Sequence, residues 1–137
     1  MTPPHVVVTG AGRGIGAELA RQYLAAGWAV TVGVRRPDAV DLPAAIGRHP
    51  LDLEDDAAIA AFAERIQRPV DVLVNNAGLF GPRPQHLTDV DGDIWSRIFR
   101  VNTIAPVLLA RALVDRVAAG ERRVLATITS RMGSFAE

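Results

Sequence analysis

The stretch that most constrains this chain is a glycine-rich turn near its beginning, VTGAGRGIGAELA, which starts at Val8. Four glycines stand at alternate positions between an apolar run and a helix-forming segment. Glycine loses more backbone entropy on folding than any other residue, so such a cluster indicates left-handed backbone or the close approach of another group. The free N–H groups and positive dipole end of a helix N-terminus attract an anion such as pyrophosphate. The turn therefore predicts a strand, a bare loop and a helix that together hold a phosphate-bearing ligand.

The composition narrows the classes of partner. The 137 residues carry 15 basic side chains, all of them arginine, and 15 acidic ones, for a net charge of 0. This balance, without blocks of like charge, argues against nucleic acid or an anionic membrane as the main partner. The sequence has no cysteine and no apolar run near the ~20 residues that span a bilayer, and we predict no metal site. Residues 1–5 are too few for a leader peptide, so we expect a cytoplasmic protein.

Two kinds of segment alternate along the chain. Short β-branched apolar runs are typical of strands buried on both faces, and apolar residues recur at helical spacing between them. This alternation predicts an α/β fold of the Rossmann type, a doubly wound parallel sheet truncated after about the fifth strand. We expect residues 1–137 to form one dinucleotide-binding domain that is incomplete at its C-terminal end. The predicted strands are residues 6–8, 29–34, 70–74, 124–128 and, more weakly marked, 45–49; residues 94–117 form the longest predicted helix, after an irregular loop over 78–93.

Several motifs carry a family resemblance. The pattern Thr9-Gly10-x-x-x-Gly14-Ile15-Gly16 follows a predicted strand and opens a helix, and it resembles the glycine motif of the short-chain dehydrogenase/reductase family. The stretches DVLVNNAG, HPLDLED, RVNTIAP and TITSRMG resemble further family motifs and occur in the family's order. The final SRMGSFAE is also similar to the C-factor and sniffer-type members.

The resemblance implies a site for a nicotinamide dinucleotide. Family members hold NAD through an acidic side chain at the end of the second strand, but Val34 stands here and Arg35 and Arg36 follow it. A 2′-phosphate would pair with these arginines and with Arg13, so we predict NADP, with NAD less favoured. If the arginines only face solvent, Asp38 or Asp41 remains available to bind NAD. The cofactor-binding residues implied by the resemblance are Thr9, Gly10, Gly12, Arg13, Gly14, Ile15, Gly16, Arg35, Arg36, Asp52, Leu53, Asn76, Ala77 and Gly78.

The resemblance also assigns two catalytic residues, Ser130 and Asn102. Pro106 has no N–H for the Asn102 carbonyl, which is therefore freed from the helix, and in the family that carbonyl binds a water of the proton relay. A simple proline kink with an exposed asparagine is the alternative. The family's Tyr-x-x-x-Lys follows the serine, and this sequence contains no lysine and only one tyrosine, Tyr23, which is predicted to lie far from the strand ends. We therefore expect the N-terminal part of a family member, inactive alone.

The implied activity is hydride transfer between a nicotinamide and a small carbonyl or secondary alcohol, in a parent protein that forms a homo-oligomer. A non-catalytic dinucleotide-binding or interaction protein that keeps the cofactor cradle is the main alternative. An epimerase or methyltransferase of the Rossmann class is a weaker one, because NNAG and Ser130 argue against it. The three histidines, His5, His49 and His86, have no apparent partners in the sequence and are expected on the surface or in loops.

Overall fold

The computed structural model describes residues 1–83 and 86–133, and it contains one parallel sheet of five strands in the order β3-β2-β1-β4-β5. All four strand pairings are parallel, so the predicted doubly wound α/β fold of the Rossmann type is confirmed. The last four residues of the SRMGSFAE motif, 134–137, lie outside the described residues. The strands are β1 (His5–Thr9), β2 (Ala29–Val34), β3 (Gly47–Pro50), β4 (Val72–Asn75) and β5 (Val124–Thr127).

Helices connect all consecutive strands except β2 and β3, between which lies only a short 3₁₀ turn, and they run back across the sheet. Between β4 and β5 the predicted single helix over 94–117 is divided by a π-helical turn, Arg100–Ile104. The division follows from Pro106, which lacks the N–H that an unbroken α-helix would need there. The helices are α1 (Gly14–Ala25), α2 (Asp56–Arg65), α3 (Gly92–Phe99) and α4 (Ala105–Ala118), with short 3₁₀ turns at Pro37–Ala39, Leu87–Asp89 and Arg131–Gly133.

The sheet is buried on both faces, because alternate residues of its central strand feed two separate cores. Val6 and Val8 of β1 pack on the side covered by α1, whereas Val7 packs on the side covered by α2 and α4. All three valines are fully buried. A β-strand side chain alternates between faces with a period of two, so an uninterrupted apolar run is what such a central strand requires.

The edge of the sheet where the strands begin is fastened by Asp71, a buried carboxylate just before β4. Its oxygens accept backbone N–H groups from His5 at 2.8 Å, from Glu121 at 2.9 Å and from Arg122 at 3.2 Å. These hydrogen bonds lower the pKa of Asp71, with that from His5 contributing most. One carboxylate thus joins the start of β1 to the turn between α4 and β5.

The expectation that His5 is a surface or loop histidine without partners is wrong. The His5 ring is buried, with Nδ1 3.0 Å from the Pro69 carbonyl and Nε2 2.9 Å from the Thr31 hydroxyl. A carbonyl only accepts, so Nδ1 donates to Pro69 and neutral Nε2 accepts from Thr31. Burial lowers the pKa of His5, which favours this neutral form.

Replacing Asp71 by asparagine should destabilise the fold. The new amide NH₂ must face a backbone N–H, either that of His5 or those of Glu121 and Arg122. We expect the free energy of unfolding at pH 7 to fall by about 1.5–3 kcal/mol, measured by urea titration. The pKa of Asp71 in the folded protein lies below the ordinary value of 3.8. The stabilisation by this carboxylate is therefore complete above pH 3.8 and is lost as the pH falls through the folded-state pKa.

The matched control is Asp38→Asn, at an exposed carboxylate outside this cluster, which should leave the unfolding midpoint unchanged. Equal stability of Asp71→Asn and the unsubstituted protein at pH 7 would contradict the role assigned to Asp71.

Candidate functional site

A groove of about 700 Å³ lies along the carboxyl ends of the strands. Strand order reverses between β1 and β4, since the chain proceeds from β1 to β2 and β3 on one side and from β4 to β5 on the other. Helices leave the sheet in opposite directions at such a switch point and open a crevice, where ligands bind in open α/β sheets. Most predicted cofactor residues line this groove: Gly10, Gly12, Arg13, Gly14, Ile15, Arg35, Arg36, Asp52, Leu53, Asn76, Ala77 and Gly78.

The glycine turn forms the centre of the groove because the backbones of two neighbouring strands meet there. Gly10 has φ +66°, and a Cβ added to it would lie 2.6 Å from Ala77 Cα. A Cβ added to Gly16 would lie 2.7 Å from the Gly10 carbonyl oxygen and would also overlap the Asn76 amide. Gly14 has φ +58°, with open space around an added Cβ. Two of these glycines are therefore required by close contact and a third by its backbone conformation.

Two predicted cofactor residues, Thr9 and Gly16, are outside the described lining of the groove and act within the turn itself. The Thr9 hydroxyl accepts the N–H groups of Asn76 and Ala77, each at 3.1 Å. The Asn76 amide in turn donates to the carbonyls of Thr9, at 3.0 Å, and Gly10, at 3.3 Å. These bonds lock the end of β1 to the end of β4.

Gly12 differs from its neighbours because the protein's own packing does not require a glycine there. Its φ is outside the left-handed region, and an added Cβ would make an ordinary 3.5 Å contact with Val40 Cγ1. Gly12 nevertheless lines the groove, beside the first turn of α1. The Arg13 side chain makes no capping hydrogen bond to that turn, so a bound anion can reach its N–H groups.

One end of the groove holds both cationic and anionic side chains. Arg35 and Arg36 follow β2 and are exposed, and Asp52 and Glu54 follow β3. The Asp52 carboxylate accepts the Glu54 N–H at 2.9 Å, which fixes the local turn. The Leu53 side chain is buried in the hydrophobic core and anchors the backbone of this segment.

The two predicted catalytic residues lie away from this end. The Asn102 amide pairs with the backbone of Leu79, accepting its N–H at 2.7 Å and donating to its carbonyl at 2.8 Å. This pairing holds the segment after β4, while the Asn102 backbone lies in the π-turn. Ser130 follows β5 at the same edge of the sheet, and its carbonyl accepts the Gly133 N–H at 2.9 Å. Neither residue is among the described residues that line the groove.

Sequence reasoning missed two arginines that shape the groove. Arg48 of β3 donates to the carbonyls of Val40, Leu42 and Pro43 and so holds the loop after β2, where Val40 lines the groove. Arg97 of α3 forms a two-point ion pair with Glu54. An isolated arginine in the sequence carries no signal of such partners, which become neighbours only through the fold.

The described residues contain no group of three or more histidine, cysteine, aspartate or glutamate side chains arranged to hold a metal ion. Among the helices within residues 1–83 and 86–133, none is long and apolar enough to cross a membrane.

The groove and the glycine turn at the switch point define a Rossmann-type α/β protein, and comparisons with known proteins identify its family. The model of the short chain dehydrogenase family matches residues 4–137. This chain therefore belongs to the short-chain dehydrogenase family, as the sequence motifs predicted. Its similarity to C-factor and sniffer-type members stays a prediction.

Individual relatives agree with this assignment. Protein FixR of Bradyrhizobium diazoefficiens is 33% identical over 96% of this chain and 52% of its own length. A carbonyl reductase from Pseudomonas aeruginosa, solved with NADP, superposes with a TM-score of 0.86 at 30% identity, over 98% of this chain and 62% of its own. A 3-ketoacyl-(acyl-carrier-protein) reductase from Brucella melitensis, solved with NADH, gives 0.82 at 27% identity, over 94% and 58%. The chain spans about half the length of the curated relatives it matches.

Alanine substitutions in the turn should separate the glycines by what each one contacts. Gly10→Ala and Gly16→Ala force backbone atoms apart, and we expect each to lower the free energy of unfolding by about 2 kcal/mol or more. Gly12→Ala should change it by less than about 0.5 kcal/mol, since its Cβ meets only an ordinary contact. Urea unfolding followed by circular dichroism measures all three. Similar losses in all three variants would mean that the turn packs differently.

Proposed function

We propose that this chain forms the cofactor-binding part of an NAD(P)-dependent oxidoreductase, which moves a hydride between a nicotinamide and a carbonyl or secondary alcohol. We also propose that residues 1–137 act as one dinucleotide-binding domain. Family membership and the groove at the switch point support this activity. The cofactor supplies or accepts the hydride, so the protein's part is to bind, orient and exchange a proton.

The observation that carries the proposal is Gly12. Glycine is costly in backbone entropy, yet neither the φ of Gly12 nor its neighbours within the protein require one. A ligand that approaches the backbone at Gly12 explains why this position has no side chain. The uncapped first turn of α1 begins just after it and presents N–H groups to a negative charge, which fits the pyrophosphate of a dinucleotide.

The arginines beside the groove favour NADP as the cofactor. Val34 stands where an acidic side chain would bind the ribose hydroxyl of NAD, Arg35 and Arg36 follow it, and Arg13 lies in the turn that lines the same groove. A 2′-phosphate offers these guanidinium groups charge-assisted hydrogen bonds, whereas a hydroxyl leaves them solvated. Solved relatives include proteins with NADP and one with NADH, so the preference rests on the arginines.

In the proposed reaction Ser130 hydrogen-bonds the substrate oxygen, and the Asn102 backbone carbonyl in the π-turn binds a water of the proton relay. The side chain of Asn102 has a separate task, since its amide is already paired with Leu79. Tyr23, the only tyrosine in the sequence, stacks edge-on against Trp28 at 4.8 Å near the end of α1. The end of α1 is at the opposite edge of the sheet from the groove, so Tyr23 is unsuited to proton transfer there.

The main alternative is a dinucleotide-binding or interaction protein without turnover, which the groove and the glycine turn would serve equally well. The two functions differ in one measurement, the oxidation of NADPH with a panel of aldehydes and ketones by a chain extended to include the family's Tyr-x-x-x-Lys. Turnover that falls on Ser130→Ala supports the oxidoreductase, whereas dinucleotide binding without turnover supports the alternative.

Two further proposals concern the protein's surroundings. We place it in the cytoplasm, and we propose that the parent protein is a homo-oligomer. The outer face of α4, opposite the face that is buried in the core, supports the second proposal, because it exposes three large apolar side chains. They are Ile104, just before α4, and Val107 and Val114 of α4, with Arg111 between the two valines.

Gly12→Ala should weaken dinucleotide binding while leaving the fold intact. The added methyl group occupies the space in which we place the pyrophosphate, so we expect the Kd for NADP to rise by a factor of about 30 or more. Isothermal titration calorimetry measures the Kd, and the unfolding midpoint of the same sample is the control. Unchanged affinity in a folded variant would place the phosphate site elsewhere.

Arg35→Asp should weaken NADP binding selectively. Loss of a charge-assisted hydrogen bond of ~1.5–3 kcal/mol corresponds to about ten- to a hundredfold in Kd, and NAD should lose much less. Arg65→Asp, which makes the same charge change at an exposed position outside the groove, is the matched control. If the unsubstituted protein binds NAD more tightly than NADP, the assignment to NADP is wrong.

A further inference from the structure

A second acidic side chain in the groove is held by an arginine that is not itself among the described lining residues. Glu54 lines the groove beside Asp52, and its carboxylate pairs with the Arg97 guanidinium through Nε to Oε1 at 2.7 Å and Nη2 to Oε2 at 3.0 Å. Two parallel N–H···O bonds fix the orientation of both groups. Arg97 therefore holds the Glu54 carboxylate in one orientation, in the groove that Arg35 and Arg36 also line.

Two arginines, Arg97 and Arg35, act on the charge of Glu54. The hydrogen bond from Arg97 is the main cause of a lowered pKa at Glu54, and the charge of Arg35 also lowers it. The carboxylate is thus ionised at neutral pH and stands within electrostatic range of Arg35. Arg35 lines the same groove as Glu54 and is the other cationic residue whose charge acts on it, so without Arg97 it is the partner left to Glu54.

We infer that Arg97 is a positioning residue that sets cofactor choice: by holding Glu54, it leaves Arg35 free to bind a phosphate at this end of the groove. This inference rests on the proposed function, in which that phosphate is the 2′-phosphate of NADP. In the absence of Arg97, Glu54 competes for Arg35 and repels the phosphate. Both effects act on the 2′-phosphate, so NAD, which lacks it, is nearly insensitive to them.

A purely structural role for the pair makes a different prediction. The pair joins α3 to the segment after β3, and a second ion pair nearby joins Arg100 of the π-turn to Asp56 of α2. Asp56 is outside the described lining of the groove, so that second pair joins neighbouring parts of the fold without placing a charge at the site. If Arg97 only fastened α3, loss of either Glu54 or Arg97 would weaken both cofactors equally, and losing both would not restore binding.

The test is a double-mutant cycle read by isothermal titration of NADP⁺ and NAD⁺ with all 137 residues of the chain. We expect Arg97→Gln to weaken NADP⁺ binding about three- to tenfold and NAD⁺ binding less than about twofold. Glu54→Gln should leave NADP⁺ affinity equal or higher, and adding it to Arg97→Gln should restore affinity to within about twofold of the unsubstituted protein. Asp56→Asn is the matched control and should change neither Kd.

Thermal unfolding of each variant separates loss of binding from loss of fold, and raising the salt concentration should shrink the effect of Arg97→Gln. Equal weakening of NADP⁺ and NAD⁺ by Arg97→Gln, or no recovery in the double variant, overturns the inference while leaving the proposed function standing. If the unsubstituted protein binds neither dinucleotide, the proposed function itself fails, and this inference fails with it.

Discussion

The contact on which the rest of this structure depends is the approach of two backbones at the ends of β1 and β4. Gly10 lies so near Ala77 that any side chain at position 10 would overlap the Ala77 backbone. The contact occurs where strand order reverses, so it sets how closely the two halves of the sheet meet. Hydrogen bonds between Thr9 and Asn76 cross this contact, and the groove opens beside them. A phosphate site of bare backbone follows from the same requirement for small residues.

The electrostatics of the groove follow from which charges are already paired within the protein. Arg48 directs its guanidinium to three backbone carbonyls, and Arg97 directs its own to Glu54. Both guanidinium groups are therefore already paired within the protein. Arg35 and Arg36 are exposed beside the groove, where a ligand can reach them. The chain has a net charge of 0, so one end of the groove attracts an anion only if some of its arginines are available to a ligand.

Sequence patterns predicted the features that depend on local chemistry, and they failed where distant segments meet. The parallel order of strands and the glycine turn follow from short-range patterns, and the family motifs gave most of the groove lining. His5 was misjudged because its partners, Pro69 and Thr31, are 64 and 26 residues away. The Glu54–Arg97 pair spans 43 residues, so neither side chain shows in the sequence that it has a partner.

Two asparagines hold the segment after β4 from opposite sides, and their amide groups explain why this residue type suits both places. Asn76 donates to the carbonyls at the end of β1, and Asn102 both accepts from and donates to Leu79. An amide presents a donor and an acceptor side by side, so it can pair with the N–H and C=O of one residue as a neighbouring strand would. A carboxylate only accepts, and would leave the Leu79 carbonyl without its bond. Beyond the end of β4, side-chain hydrogen bonds therefore take the place of strand pairing in holding the wall of the groove.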